Sequence, residues 1–310
     1  MIAIIGAGKV GSNAAYNILQ RRISEEVILL DIAENLAKGE ALDMMQTAPA
    51  IEFDGKIIGT SDFSQIENSE LVIITAGQPR QPGMTRTDLA TKNAKIIQGI
   101  TQQIVKHAPN SLIMMVTNPV DVMTYVATKT SGFPRNRVFG MGNILDTMRF
   151  RTYLATALNI SREDIRALVI GEHGDTMLPL ISYASVSGIP ITQLLNAQQI
   201  TQITEQTRTS GSDVIKLKGS TTYAPAAAIA IMTDAVLEDR NRLVSTSTLL
   251  QGEYGYTNIS IGVPCILGKS GIQKIIQLPF DEETKEEFQK SADAITETTR
   301  KTEATLQIHG

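Results

Sequence analysis

Acid–base chemistry near neutral pH calls for an imidazole, and this chain carries three histidines. His107 sits near the end of a helical stretch, two residues before Pro109 and with no acid beside it, and His309 lies in the last two residues. His173 stands in Gly171-Glu172-His173-Gly174-Asp175, after the apolar run Ala167-Leu168-Val169-Ile170, which reads as a buried strand. Glycines on either side let backbone and substrate come close. A histidine so placed is a candidate general acid/base. The pentapeptide leaves a second reading open, a turn histidine that merely caps a strand.

Other chemistry-bearing residues collect in three segments. Ala76-Gly77-Gln78-Pro79-Arg80-Gln81-Pro82-Gly83-Met84-Thr85-Arg86 has two prolines and two glycines, so it reads as a loop. Its place after a strand suits a lid, and Arg80 and Arg86, six residues apart, suit capture of an anion by forked N–H donors. In Thr117-Asn118-Pro119-Val120-Asp121, Asn118 can give and accept hydrogen bonds, and Pro119 fixes the turn and admits a cis bond. Leu145-Asp146-Thr147-Met148-Arg149 opens a helix with Asp146 and Arg149 on one face. By themselves these two make an ordinary helix ion pair. They enter chemistry if both face His173.

The elements that must position these residues begin at the N-terminus. The apolar run Ile2-Ala3-Ile4-Ile5 meets Gly6-Ala7-Gly8-Lys9-Val10-Gly11, and a helical pattern follows to Gln20. Strand, glycine turn and helix in this order let a pyrophosphate approach the backbone at a helix N-terminus. The next apolar run, Val27-Ile28-Leu29-Leu30, ends in Asp31, 20 residues past Gly11. An acid there accepts hydrogen bonds from ribose hydroxyls and repels a 2′-phosphate, which favours NAD over NADP. Residues 34–45 read as a helix, and 71–75, 112–116 and 137–140 as further strands of the continuous apolar kind found in parallel sheets. Ile96, Ile97, Ile100 and Ile104 share one helix face. Alternating strands and helices predict an α/β fold, an N-terminal doubly wound parallel sheet (Rossmann) with ligands at the carboxyl ends of its strands.

From about residue 150 the rhythm changes. Residues 199–218 read as an amphipathic helix that Gly211 should break or kink. Residues 222–237 read as a buried, alanine-rich helix, and 243–250 and 258–267 as antiparallel strands. Phe288, Ala292 and Ile295 mark one face of a charged C-terminal helix. The expected division is 1–143, an NAD-binding domain, and 144–310, a C-terminal mixed α+β catalytic domain.

At 310 residues the chain is long enough for two domains or one large α/β unit. A net charge of −4 with no basic run speaks against nucleic acid. One cysteine, Cys265, excludes an internal disulfide and fits a reducing compartment. No apolar run reaches the ~20 residues of a membrane helix. No leader precedes the first strand, so a cytoplasmic protein without membrane partners is expected.

Six separated motifs stand in one order: the Gly6–Gly11 loop, Asp31, the segment 75–86, Thr117-Asn118-Pro119, Leu145-Asp146 with Arg149, and Gly171 to Asp175. Together they make the chain similar to the lactate/malate dehydrogenases. It most resembles the lactate-dehydrogenase-like malate dehydrogenases of archaea and some bacteria, from Ile2 to about Gly271. The resemblance implies reversible NAD-dependent oxidation of (S)-malate to oxaloacetate, a small dicarboxylate substrate and no metal. His173 would donate and accept the proton. Asp146 would fix its tautomer and stabilise the imidazolium. Arg149 would bind the C1 carboxylate, Arg86 would polarise the reacting carbonyl, and Asn118 would touch both substrate and cofactor. Gly6, Ala7, Gly8, Lys9, Val10, Gly11, Asp31, Asn93, Val116, Thr117 and Asn118 would hold NAD.

The resemblance also bears on specificity and assembly. The position that Arg80 matches is typically arginine in malate enzymes and glutamine in lactate enzymes. Gln81 follows at once, so a lactate or broader 2-hydroxy acid dehydrogenase is the alternative, and a non-catalytic NAD-binding scaffold a remote one. Gly219-Ser220-Thr221 falls where the family lines its substrate pocket, and Thr221 replaces the more usual small apolar residue. The family forms dimers and tetramers. Residues 38–45 and 225–237 are expected to face another subunit, with a tetramer favoured over a dimer.

Overall fold

The computed structural model describes residues 1–78 and 86–306. Arg80, the side chain of Arg86 and most of the expected lid lie outside the described residues.

Six apolar runs form β1 (Ile2–Ile5), β2 (Glu26–Leu30), β3 (Lys56–Thr60), β4 (Leu71–Ile74), β5 (Leu112–Met115) and β6 (Val138–Gly140). They run parallel in the spatial order β3-β2-β1-β4-β5-β6. Helices α1 (Lys9–Gln20), α2 (Glu34–Gln46), α3 (Ala48–Ile51), α4 (Arg86–His107) and α5 (Val120–Ser131) occupy the connections. This is the doubly wound arrangement the sequence predicts, with the strand order reversing between β1 and β4.

Strand composition explains the layering. Ile2, Ile4, Val27, Leu29, Leu71 and Ile73 point into one core layer, shared with Ala14, Ile18 and Leu19 of α1. Ala3, Ile5, Ile28, Leu30, Val72 and Ile74 point into the other, shared with Ala94, Ile97 and Ile104 of α4 and Met123 and Val126 of α5. With both faces covered by helices, the strands need apolar residues at every position rather than at alternate ones.

The second half contains α6 (Ile144–Leu158), β7 (Ile165–Arg166), β8 (Val169–Ile170), β9 (Leu178–Pro179), β10 (Ser185–Val186), β11 (Ile189–Pro190), α7 (Ala197–Lys218), α8 (Tyr223–Leu237), β12 (Arg242–Gln251), β13 (Thr257–Gly268), β14 (Gly271–Ile275) and α9 (Glu282–Leu306). The expected antiparallel pair is β12 and β13, and β14 adds to it. β12 also meets β6 at Ser247 and Gly140, so among the described residues the sheet runs on to nine strands.

Two expectations need correction. The run 167–170 is strand only at Val169–Ile170, β8, which pairs with β9, while β7 just before the run pairs with β10. Gly211 does not break α7, which continues from Ala197 to Lys218. A Cβ there would lie 3.3 Å from both terminal nitrogens of Arg149, so the glycine leaves room for that guanidinium. Ala226, Ile229, Ala230 and Met232 of α8 are already buried within the chain, where α8 packs on α1. In α2, Ala37, Ala41 and Met44 are buried, while Leu36 and Leu42 on its outer side are exposed.

Candidate active site

At the carboxyl end of β1 the chain turns through Gly6 into α1, and backbone makes the crevice. Gly8 is the residue before the helix, exposed, with open space where a Cβ would be. A Cβ on Gly11 would lie 1.8 Å from the Gly6 carbonyl oxygen, so helix and turn fit together only with glycine there. Thr75, just past β4, closes the turn by donating from Oγ1 to the Gly6 carbonyl at 3.0 Å. Asp31 lies across the turn. Its Oδ2 accepts the Ala7 N–H at 2.8 Å and its Oδ1 the Ala33 N–H at 2.9 Å.

A second turn borders the crevice at the end of β5, where the Asn118–Pro119 bond is cis. Thr117 Oγ1 donates to the Ala76 carbonyl at 2.7 Å. Asn93, buried on α4, straps the two turns together. Its Nδ2 donates to the Asn118 carbonyl at 2.7 Å, and its Oδ1 accepts the Gln78 N–H at 2.8 Å. The sequence reading places Asn93 in the lining; the structure gives its side chain this tie between lining segments. Val116 and Thr117 are buried, and Lys9 and Asn118 are exposed.

The candidate acid–base centre is a row of side chains. His173 Nδ1 lies 2.6 Å from Asp146 Oδ2, and Arg149 Nη1 donates to Asp146 Oδ1 at 2.9 Å. The Asp146 side chain is fully buried, while those of His173 and Arg149 keep 12% and 13% exposure, enough to meet a ligand. The condition set by the sequence is therefore met: Asp146 and Arg149 share a helix face that looks at His173. Burial disfavours charge on the imidazole, but the Asp146 charge and hydrogen bond outweigh it and hold the His173 pKa above the ordinary histidine value. Burial likewise pushes the Asp146 carboxyl up, but His173, Arg149 and Asn143 together hold it below the usual carboxylate range.

Three positioning residues escape the sequence reading. Ser291 Oγ on α9 accepts the Glu172 N–H at 2.6 Å. Asn143 Nδ2, just before α6, reaches the Glu172 carbonyl at 3.3 Å. Asp121 Oδ2, in the first turn of α5, accepts the His173 N–H at 2.9 Å. Paired bonds between Gly171 and Gly262 complete the clamp. Burial pushes the Asp121 carboxyl up to about 6, against the pull of that N–H. Asp121 closes a motif the sequence already offers, so a buried acid beside the turn was a usable signal. Ser291 carries no local signal. Thr221 is half-buried just ahead of α8, and among the described residues Ser220 Oγ beside it has no hydrogen-bond partner.

Residues 1–140 match the family described as lactate/malate dehydrogenase, NAD binding domain, and residues 144–306 match lactate/malate dehydrogenase, alpha/beta C-terminal domain. The chain belongs to the lactate/malate dehydrogenase family. Relatives include a malate dehydrogenase of Chlorobium limicola, 45% identical over 307 residues, 98% of this chain and 99% of that protein. Another from Geobacillus is 46% identical over 298 residues, 95% of each chain. The solved malate dehydrogenase of Salinibacter ruber superposes with a TM-score of 0.94 at 40% identity, covering 99% of this chain and 98% of its own. The minor L-lactate dehydrogenase of Enterococcus mundtii gives 0.93 at 30% identity, over 96% and 97%. The family's cofactor is NAD, and this lactate/malate dehydrogenase has a crevice to fit it. The open N-terminus of α1 at Gly8 suits the pyrophosphate, and both Asp31 oxygens keep lone pairs for ribose hydroxyls.

Proposed function

We propose that the chain is an NAD-dependent malate dehydrogenase, interconverting (S)-malate and oxaloacetate. The contact run Arg149–Asp146–His173, beside a dinucleotide crevice, carries the reading. Because Asp146 occupies Nδ1, the proton exchanges at His173 Nε2. In oxidation, neutral Nε2 takes the C2 hydroxyl proton, and Asp146 stabilises the imidazolium that results. NAD held in the crevice at Gly8 and Asp31 would supply the hydride acceptor for C2 in that direction and, reduced, the hydride donor in the other. In reduction, imidazolium protonates the oxygen as charge builds on it. Arg149 commits Nη1 to Asp146, and its remaining donors hold the C1 carboxylate. Gly6, Ala7, Gly8, Lys9, Val10, Gly11, Asp31, Asn93, Val116, Thr117 and Asn118 form or frame the cofactor site.

Two assignments rest on sequence alone: Arg86 polarises the C2 oxygen, and Arg80 pairs with the second carboxylate. Pyruvate would leave the Arg80 charge uncompensated in a closing site, which favours the dicarboxylate. The domain boundary falls at 143/144. Exposed Leu36 and Leu42 on α2 support a homo-oligomer, for which the tetramer is favoured. Among the described residues no helix is long and apolar enough to cross a membrane, and a cytoplasmic enzyme is proposed.

NADH oxidation followed with oxaloacetate and pyruvate in parallel tests the assignment. Strong preference for oxaloacetate is expected. Preference for pyruvate would move the chain to the lactate side of the family, and NADH binding without turnover of either would make it a scaffold.

A further inference from the structure

An asparagine just ahead of a helix ordinarily caps it, its side-chain oxygen accepting an N–H of the first turn. Asn143 occupies that position before α6 and makes no such bond. Its side chain is fully buried and turned toward the acid–base centre. Nδ2 donates to Asp146 Oδ2 at 3.2 Å and to the Glu172 carbonyl at 3.3 Å. Among the described residues, Oδ1 has no hydrogen-bond partner. The niche is kept open by Gly262 on β13, where a Cβ would lie 1.7 Å from that Oδ1. A buried amide with one end unsatisfied costs stability that a small apolar side chain would not. What it gains is a second donor on the carboxylate oxygen that already holds the imidazole.

We infer that Asn143 is a positioning residue that sets the proton affinity of His173 by acting through Asp146. Asp146 Oδ2 divides its accepting capacity between the imidazole Nδ1 and the Asn143 amide. The amide draws charge from the carboxylate, so the imidazolium is held less tightly and releases its proton more readily. The bond to Glu172 also fixes the peptide ahead of His173 and hence where Nε2 points. Among the described residues, the other charged groups around His173 are Arg149 on Asp146 Oδ1, Asp121 on the His173 N–H, and Glu172 and Asp175 on its own loop. Asn143 is neutral and acts on one oxygen. The catalytic consequence rests on the malate dehydrogenase reading; the effect on His173 does not.

The test is a histidine NMR titration of the full chain and of Asn143→Ala and Asn143→Asp, with NADH binding as the check on folding. With three histidines the His173 signal is separable. Asn143→Ala should raise the proton affinity of His173 about threefold or more, roughly half a pH unit. Asn143→Asp, which keeps the shape and replaces the donor by an acceptor, should raise it further. The pH limb of oxaloacetate reduction should move by the same amount. Folded variants with an unmoved His173 titration would overturn the inference and leave Asn143 as filler. In the unsubstituted chain, the Asn143 side-chain amide signals should shift with His173 protonation. Signals that stay fixed through that titration would overturn it even if neither variant folds. Should the chain prefer pyruvate or turn over nothing, the functional reading falls while the histidine titration still judges Asn143.

Discussion

The cofactor crevice and the proposed proton-transfer centre share one edge of the sheet, yet they are made of different material. The crevice is mostly backbone, a glycine turn and the open first turn of α1, braced by side chains such as Asp31, whose two oxygens each hold an N–H. The centre is side chain, assembled from α5, the start of α6, the 171–175 loop and α9. A backbone site is lost when a Cβ intrudes. A side-chain site is lost when a donor or acceptor goes missing. The two should therefore fail independently, one in binding and stability, the other in turnover.

Replacing His173 by Asn should give the largest effect, a fall in kcat of about a thousandfold or more, with NADH binding unchanged by fluorescence titration. If turnover survives, the proton passes through another group and the division of labour is wrong. With His173 in its proposed role, reduction by the unsubstituted enzyme needs imidazolium and oxidation needs neutral imidazole. With the His173 pKa held above its ordinary value, kcat/KM for oxaloacetate should be flat at low pH and fall as pH rises through that raised value. Malate oxidation should rise through the same point, and a reductive limb centred below the ordinary histidine range would break the account.

Gly11→Ala attacks the other end. The Cβ meets the Gly6 carbonyl, so stability should drop by about 1–3 kcal/mol and NADH binding should weaken with it, read by thermal melt and titration. Asp31→Ser is milder: use of NADP relative to NAD should rise about tenfold, worth about 1.4 kcal/mol, in paired initial-rate assays. An unchanged ratio would remove Asp31 from ribose recognition. Gly211→Ala is the smallest and tests whether the two ends separate cleanly. The helix should gain up to about 1 kcal/mol in stability, while the crowded Arg149 raises KM for oxaloacetate by a few-fold. A more stable variant with unaltered KM would show that Arg149 tolerates the methyl group.

The same contrast accounts for what could be read from the sequence. The glycine turn, Asp31 and the buried strands are each specified by residues close together in the chain, so spacing and periodicity expose them. His173 with Asp146 needed a family resemblance, because 27 residues separate the partners and nothing local joins them. Gly211 reads as a helix breaker because its reason for being glycine is a guanidinium on another helix. Asn143 escapes the sequence reading because nothing beside it in the chain marks its role, which is visible only once β13 and the 171–175 loop are in place. Ser291, 119 residues from Glu172, lies on a helix whose apolar face is legible while its one functional hydroxyl is not.

That hydroxyl sets an order of events during synthesis. Residues 1–140 contain every strand and helix of the parallel α/β unit, so the glycine turn and its strands are complete while later segments are still being made. The peptide ahead of His173 waits for α9 (Glu282–Leu306) to leave the ribosome before Ser291 can hold it. A nascent chain should thus acquire its nucleotide crevice well before its acid–base clamp.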